Sequence, residues 1–185
     1  MNPMATSKEE ILKASRELIR RQGWEAVSIR SVAHACGIST GTIYNYFPSK
    51  DALVSASVES VWHDIFHRTE DCALFSDILA CTRWLYQRMA YGAEQYPHFF
   101  NLHSIVFASG EKADGREQMH RTWDHIRSSL CAVIRRDPHV REDAFDGTFT
   151  PEQFAQVLFS LMLSALIRQD YDPASVLEII RRTLY

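Results

Sequence analysis

Apolar residues recur along this chain at intervals of three and four, the spacing that places them on one face of a helix. The stretch after residue 50 shows the pattern clearly, in Val54, Val58, Val61, Trp62, Ile65 and Phe66. We find no alternation of apolar and polar residues of the kind that marks a half-buried strand. The chain therefore predicts an all-α fold of about nine helices, with approximate ranges 7–22, 28–36, 39–47, 50–69, 77–95, 99–108, 114–136, 150–169 and 172–185.

Two of these predicted helices form a short pair separated by a glycine. Ser39 can cap the second helix, because its hydroxyl can accept a hydrogen bond from a free amide of the first turn, and Pro48 ends that helix. Ile43 is suited to a core, whereas Thr40 and Asn45 are left on the open side. The arrangement is that of a helix-turn-helix, whose second helix enters the major groove. Taken alone, the pattern fits a plain helical hairpin equally well.

Residues 8–54 resemble the DNA-binding domain of TetR-family transcriptional repressors. The resemblance covers about a quarter of the chain and lies in Ile11, Leu12, Ala14, Leu18, Ile19, Gly23-Trp24, Ser28-Ile29-Arg30, Val32-Ala33, Gly37-Ile38-Ser39, Tyr44, Phe47, Lys50 and Leu53. It implies a dimeric, ligand-responsive regulator, most often a repressor, that binds a palindromic operator in double-stranded DNA.

The same resemblance implies which side chains touch DNA. Base contacts would come from Thr40, Thr42 and Asn45, with the backbone of Gly41 close to the duplex. Phosphate contacts would come from Ser28, Tyr44, Tyr46 and Lys50. Relatives often carry a basic residue or proline where this chain has Thr40, and histidine where it has Tyr46. The operator sequence of a relative therefore does not transfer.

The charge distribution supports a separate DNA-reading module. The net charge of the whole chain is −3. Residues 1–50 hold seven basic and four acidic residues, a net +3, whereas residues 51–185 hold thirteen and nineteen, a net −6. A basic N-terminal region followed by an acidic remainder is typical of a DNA-binding protein with a second module. We therefore predict a helix-turn-helix domain at 1–50 and a helical ligand-binding and dimerisation domain at 51–185.

The predicted helix at 150–169 is apolar on more than one side and must bury more than one face. Similar repressors use their last two helices for a four-helix dimer interface, which would here include Val157, Leu158, Leu161, Ser164 and Ala165. The alternative is a helix buried in the core of a monomer. A palindromic operator has two half-sites, and each half-site is bound by one helix-turn-helix domain. We therefore favour the dimer.

Aromatic residues concentrate in the predicted helices between 50 and 136, with a few polar residues among them. Most aromatic residues of this kind are ordinary core. An apolar cavity with a few polar groups is nevertheless the usual composition of a small-molecule site. The candidate ligand-binding residues are Trp62, Phe66, Trp84, Arg88, Phe100, His103, Phe107 and Trp123. A ligand held against Trp62 and Phe66 could tilt the helix that begins at Lys50.

A metal-binding protein or an enzyme is the alternative function. His63 and His67 are four residues apart on one helix, a spacing that can hold zinc, although they look more like part of a solvated face. We find no nucleophile–base pair, phosphate-binding loop or paired catalytic carboxylates. No catalytic residue, metal or cofactor is therefore predicted. The polar N-terminus and the interrupted apolar stretch at 154–167 favour a cytoplasmic protein outside the membrane.

Overall fold

The structure is a computed structural model that describes residues 6–66, 75–97, 99–100 and 113–185, with the backbone alone for 113–122. Over these residues it contains eight α-helices and no strand, which confirms the all-α prediction. The helices are α1 (Lys8–Gln22), α2 (Ile29–Cys36), α3 (Thr40–Tyr44), α4 (Lys50–Phe66), α5 (Ile78–Gln95), α6 (Ala113–Arg136), α7 (Pro151–Arg168) and α8 (Ala174–Leu184). The helix predicted at 99–108 lies outside the described residues except for Phe99 and Phe100, which form a turn.

Short polar motifs delimit the helices as the sequence predicts. The Ser7 hydroxyl accepts a hydrogen bond from the Glu10 amide at 3.1 Å, and the Glu10 carboxylate accepts one from the Ser7 amide at 2.8 Å. The reciprocal pair of Thr150 and Gln153 opens α7 in the same way. Such capping boxes satisfy amides that the first helical turn leaves without partners.

The described residues form two compact units. One contains those between 6 and 65 and between 92 and 116; the other contains those between 66 and 91 and between 117 and 185. The core of the first unit includes Ile11, Ile19, Val32, Ile43, Phe47 and Leu53, each at most 2% exposed. The core of the second includes Leu85, Met89, Leu130, Val133, Phe154, Leu158 and Ile180. The predicted domain boundary after residue 50 falls at the start of α4 and remains a prediction.

A buried carboxylate organises part of the second unit. Asp137 accepts hydrogen bonds from the Ile78 amide at 2.9 Å, the His139 amide at 2.9 Å and the Tyr185 hydroxyl at 2.6 Å. Burial alone would raise the pKa of Asp137, but these hydrogen bonds outweigh it and hold the pKa below its ordinary value. The Asp137 carboxylate thus caps the start of α5 and holds Tyr185, the residue that follows α8.

Candidate nucleic-acid interface

The turn between α2 and α3 depends on a glycine. Gly37 has φ +66° and φ/ψ in the left-handed region, where its amide bonds back to carbonyls of α2 and ends that helix. A Cβ at this position would meet nothing within 4 Å. The requirement for glycine is therefore one of backbone conformation rather than space.

Helix α3 is anchored by one apolar residue and capped by one hydroxyl. Ile43 is fully buried, and the Ser39 hydroxyl accepts a hydrogen bond from the Thr42 amide at 3.1 Å. The helix ends at Tyr44, a turn earlier than the predicted stretch to Phe47, because Asn45 takes the C-terminal cap position. A short helix with one buried residue leaves most of its surface open.

The open surface of α3 carries the predicted DNA-reading residues. Thr40, Gly41 and Asn45 are exposed, and Tyr44 is 53% exposed. Thr42 is half-buried, and its hydroxyl oxygen lies 3.0 Å from that of Ser39. Polar groups on an exposed helix are suited to base edges and phosphate oxygens. The structure thus leaves the predicted base-contacting residues Thr40 and Asn45 accessible, whereas Thr42 also takes part in the cap.

The predicted phosphate-contacting residues differ in the hydrogen bonds that they make within the protein. Lys50 is exposed in the first turn of α4, where Ser49 accepts a hydrogen bond from the Ala52 amide at 3.1 Å. The amide end of a helix and a lysine together favour an anion. The hydroxyl of Ser28 accepts a hydrogen bond from the Ser31 amide in the cap of α2, and the hydroxyl of Tyr46 donates to the Thr6 carbonyl.

Two further basic residues lie on α1 and α2 and were not predicted from the sequence to contact DNA. Arg30 is exposed in the first turn of α2, next to Ser28. The ammonium of Lys8 lies 5.7 Å from the ring centroid of Phe47. A basic residue in the first turn of a helix beside a capping serine is the signal that could have identified Arg30.

The family model described as bacterial regulatory proteins of the tetR family matches residues 11–56. The chain is 36% identical over 52 residues to the HTH-type transcriptional regulator UidR of Escherichia coli, which is 28% of this chain and 26% of the relative. It is 43% identical over 56 residues to the HTH-type transcriptional repressor KstR of Rhodococcus jostii, 30% of this chain and 26% of the relative. The chain thus matches about a quarter of the length of these curated relatives.

The fold extends the likeness over the whole chain. The Bacillus subtilis transcriptional regulator FadR, solved in complex with stearoyl-CoA, superposes with a TM-score of 0.70 at 16% identity over 97% of this chain and 100% of that one. Residues 11–56 thus match the TetR family model, and the chain shares its fold with solved TetR-type transcriptional regulators. The low identity makes the structural likeness a statement about fold alone.

The structure describes six of the eight predicted ligand-binding residues. Trp62 packs edge-on against Phe100 with ring centroids 5.5 Å apart, and both are nearly fully buried. Trp84 lies 5.8 Å from Phe75, centroid to centroid. The remaining predicted residues that the structure describes are Phe66, which is buried, Arg88, whose guanidinium lies 4.3 Å from the Tyr91 ring centroid, and Trp123, whose ring lies 5.9 Å from that of Phe159. His103 and Phe107 lie outside the described residues.

A cavity of about 570 Å³ lies beside α1, in the unit that contains α2 and α3. It contains none of the predicted ligand-binding residues. Its lining is Thr6, Glu10, Lys13, Ala14, Arg16, Glu17, Arg20, Ala35, Cys36, Ile38 and Asp64. With three basic and three acidic side chains in the lining, the cavity favours neither an anion nor a cation.

The predicted dimer residues on α7 divide into a buried and an open set. Leu158 is 1% and Ala165 8% exposed, so both pack within their own unit. Val157 is 44% exposed, Ser164 is exposed and Leu161 is half-buried. Two further apolar residues, which the sequence did not single out, are exposed on the last two helices: Ile167 on α7, 51% exposed, and Ile179 on α8, 41% exposed.

The residues of the alternative metal site are only partly described. His63 is exposed on α4, and His67 lies outside the described residues. In the described part of the chain, no three His, Cys, Asp or Glu side chains are grouped so that they could hold a metal ion. None of the described helices is long and apolar enough to cross a bilayer.

Proposed function

We propose that this chain is a TetR-family transcriptional repressor that binds a palindromic operator as a homodimer and leaves the DNA when a small molecule binds. The observation that carries the proposal is the exposed polar surface of α3, held by the buried Ile43 and followed by Lys50 at the start of α4. This surface offers groups for base edges and a helix end for a phosphate. Because a regulator of this kind acts on the chromosome, we place the function in the cytoplasm.

The open apolar residues of α7 and α8 support dimerisation. Val157, Ile167 and Ile179 expose between 41% and 51% of their surface. Apolar side chains exposed along two helices are typical of a surface that a partner covers. A second copy of the same chain would cover them symmetrically and bring two α3 helices to two half-sites.

The length of α4 supports a mechanism in which a ligand releases the DNA. Lys50 occupies its first turn and Trp62 lies roughly 18 Å further along it. A ligand that displaces Trp62 or Phe100 would therefore act on a helix whose other end touches DNA. In support, a solved regulator with this fold, FadR of Bacillus subtilis, carries stearoyl-CoA. A small molecule that lowers the affinity of this chain for its operator would be its effector.

Selection of duplexes from a random pool by the purified chain tests the proposal. We expect enrichment of an inverted repeat and binding by two copies of the chain, with affinity that falls steeply as salt rises. Adding candidate ligands to the selected complex should release the DNA, and the DNA should weaken ligand binding by the same factor. A chain that enriches no sequence would refute the proposal.

A further inference from the structure

Polar side chains connect α1 with α4. A guanidinium nitrogen of Arg16 donates to the hydroxyl of Ser60, and the other pairs with Glu9 at 2.9 Å. Arg20 and Asp64 lie one helical turn further along the same two helices. Two polar connections in the same register therefore join the first helix of the DNA-reading unit to α4.

The second connection is completed by Tyr96, one residue past the end of α5. Its hydroxyl donates to a carboxylate oxygen of Asp64 at 2.6 Å and lies 3.4 Å from a guanidinium nitrogen of Arg20. The Arg20 guanidinium also lies 5.1 Å from the centroid of the Tyr96 ring. A single hydroxyl thus holds α1, α4 and the end of α5 together.

The proton of this hydroxyl stays in place over the physiological range. Tyr96 is fully buried. Burial and the hydrogen bond to Asp64 raise the pKa of Tyr96 to about 12, against the opposing influence of Arg20. The Tyr96 hydroxyl therefore remains a hydrogen-bond donor. A carboxylate acceptor such as Asp64 makes this hydrogen bond stronger than one between neutral groups.

Close packing fixes the position of the Tyr96 ring. A Cβ on Gly92, one turn earlier, would lie 2.8 Å from a methyl carbon of Ile65 and 3.0 Å from a ring carbon of Phe100. The absence of a side chain at Gly92 lets α5 approach α4 at this point. The Phe99 ring packs against Tyr96 with centroids 6.2 Å apart. Tyr96 consequently has little freedom to move unless this packing changes.

We propose that Tyr96 is a positioning residue for DNA reading, whose hydroxyl fixes the angle at which α1 sits on α4. This inference rests on the proposed function, since angle matters only if a dimer must fit two half-sites. Helix α1 packs against α2, and α2 packs against α3. A rotation of α1 relative to α4 therefore also moves α2 and α3. In a dimer, that rotation changes the distance between the two α3 helices. Because Phe99 and Phe100 follow Tyr96 and both pack against Trp62, movement of this aromatic group would reach the same hydroxyl.

A role in stability alone predicts a different result. If Tyr96 only stabilised the fold, its loss would weaken binding to every operator by the same factor. If it sets the angle of the reader, its loss changes the preference for the spacing between half-sites. Spacing preference is therefore the measurement that separates the two roles.

The test uses the inverted repeat selected by the parental chain and versions of it with the spacer one or two base pairs longer or shorter. We expect Tyr96→Phe to keep its helicity and bind the selected repeat about tenfold more weakly, since a hydrogen bond to a charged group is lost. We also expect the ratio of affinities between the selected and altered spacings to shrink or reverse. Tyr91→Phe, which removes an exposed tyrosine hydroxyl from α5, should match the parent in both respects.

Arg20→Met tests the same connection from the α1 side and serves if Tyr96→Phe does not fold. Its effect on spacing preference should resemble that of Tyr96→Phe, and the double variant should be less affected than the sum of the two, because both break one connection. Equal loss of affinity at every spacing, or no loss, would overturn the inference. A parental chain that selects no repeat would instead refute the proposed function itself.

Discussion

The hydroxyl of Tyr185 donates to the buried carboxylate of Asp137 at 2.6 Å, across 48 residues of sequence. Because hydrogen bonds lower the pKa of Asp137 in the folded state, the stability it contributes is present above about pH 4 and is lost as the pH falls through the folded-state pKa. We expect Tyr185→Phe to lower the free energy of unfolding by about 2 kcal/mol at neutral pH.

The pH dependence of that loss identifies its cause. The difference between the parent and Tyr185→Phe should stay constant at neutral pH and narrow below about pH 4, as Asp137 takes up a proton. Urea unfolding over a pH series measures it, with Tyr91→Phe as an exposed-tyrosine control. A difference that persists unchanged after Asp137 is protonated would mean that ring packing, rather than the hydrogen bond, is responsible.

Helix ends and turns could be predicted from the sequence because their causes are local. Ser39 and Thr150 reach amides three residues away, and Gly37 meets a backbone requirement within its own turn. The Tyr96 hydroxyl, in contrast, meets Asp64 and Arg20, which are 32 and 76 residues away. Local sequence patterns give no sign of such a contact. The sequence does not distinguish an arginine or aspartate that has a distant partner from one that faces solvent.

The same limit explains the mixed result on α7. Leu158 and Leu161 are three residues apart and both fit an apolar helical face, yet the first is 1% exposed and the second is half-buried. Periodicity predicts which residues share a face, but the neighbouring helices decide how much of that face they cover. The open remainder becomes visible only when burial is known.

Gly37→Ala should destabilise the chain by about 1 kcal/mol or more, because a side chain disfavours left-handed backbone and nothing else opposes it. Thermal or urea unfolding measures the loss. Gly147→Ala is a suitable control, since a Cβ there also meets nothing within 4 Å and the glycine is not one of those with positive φ. Equal stability of the parent and Gly37→Ala would show that the turn relaxes out of the left-handed region.

Lys50→Ala should weaken binding to all duplexes alike and reduce the slope of log affinity against log salt by about two, the contribution of one phosphate contact from each copy in the dimer. Fluorescence anisotropy on the selected repeat and on an unrelated duplex measures both quantities. Asn45→Ala provides the contrast: we expect it to alter the preference among base-substituted repeats and to leave the salt slope unchanged. An unchanged slope in Lys50→Ala would remove this residue from the phosphate-contacting set.

Val157→Arg should separate the proposed dimer into folded monomers. Val157 is 44% exposed in the single chain, so an arginine there is solvated in the monomer, whereas two-fold symmetry would bury it twice in the dimer without a partner. We expect dimer dissociation to be favoured by at least about a hundredfold, with operator affinity lost and helicity kept. Light scattering after size exclusion, together with circular dichroism, measures these effects.

The neighbouring residue supplies the contrast that makes the result specific to the surface. Leu158→Arg places the same charge at a side chain 1% exposed within its own unit, so it should unfold that unit rather than release a monomer. Val157→Ala, which adds no charge, should remain dimeric. If Val157→Arg stays dimeric and binds the repeat as the parent does, the two copies meet on a different face. If it unfolds as Leu158→Arg does, Val157 supports its own unit and the exposed apolar residues of α7 lose their role as the partner-facing surface.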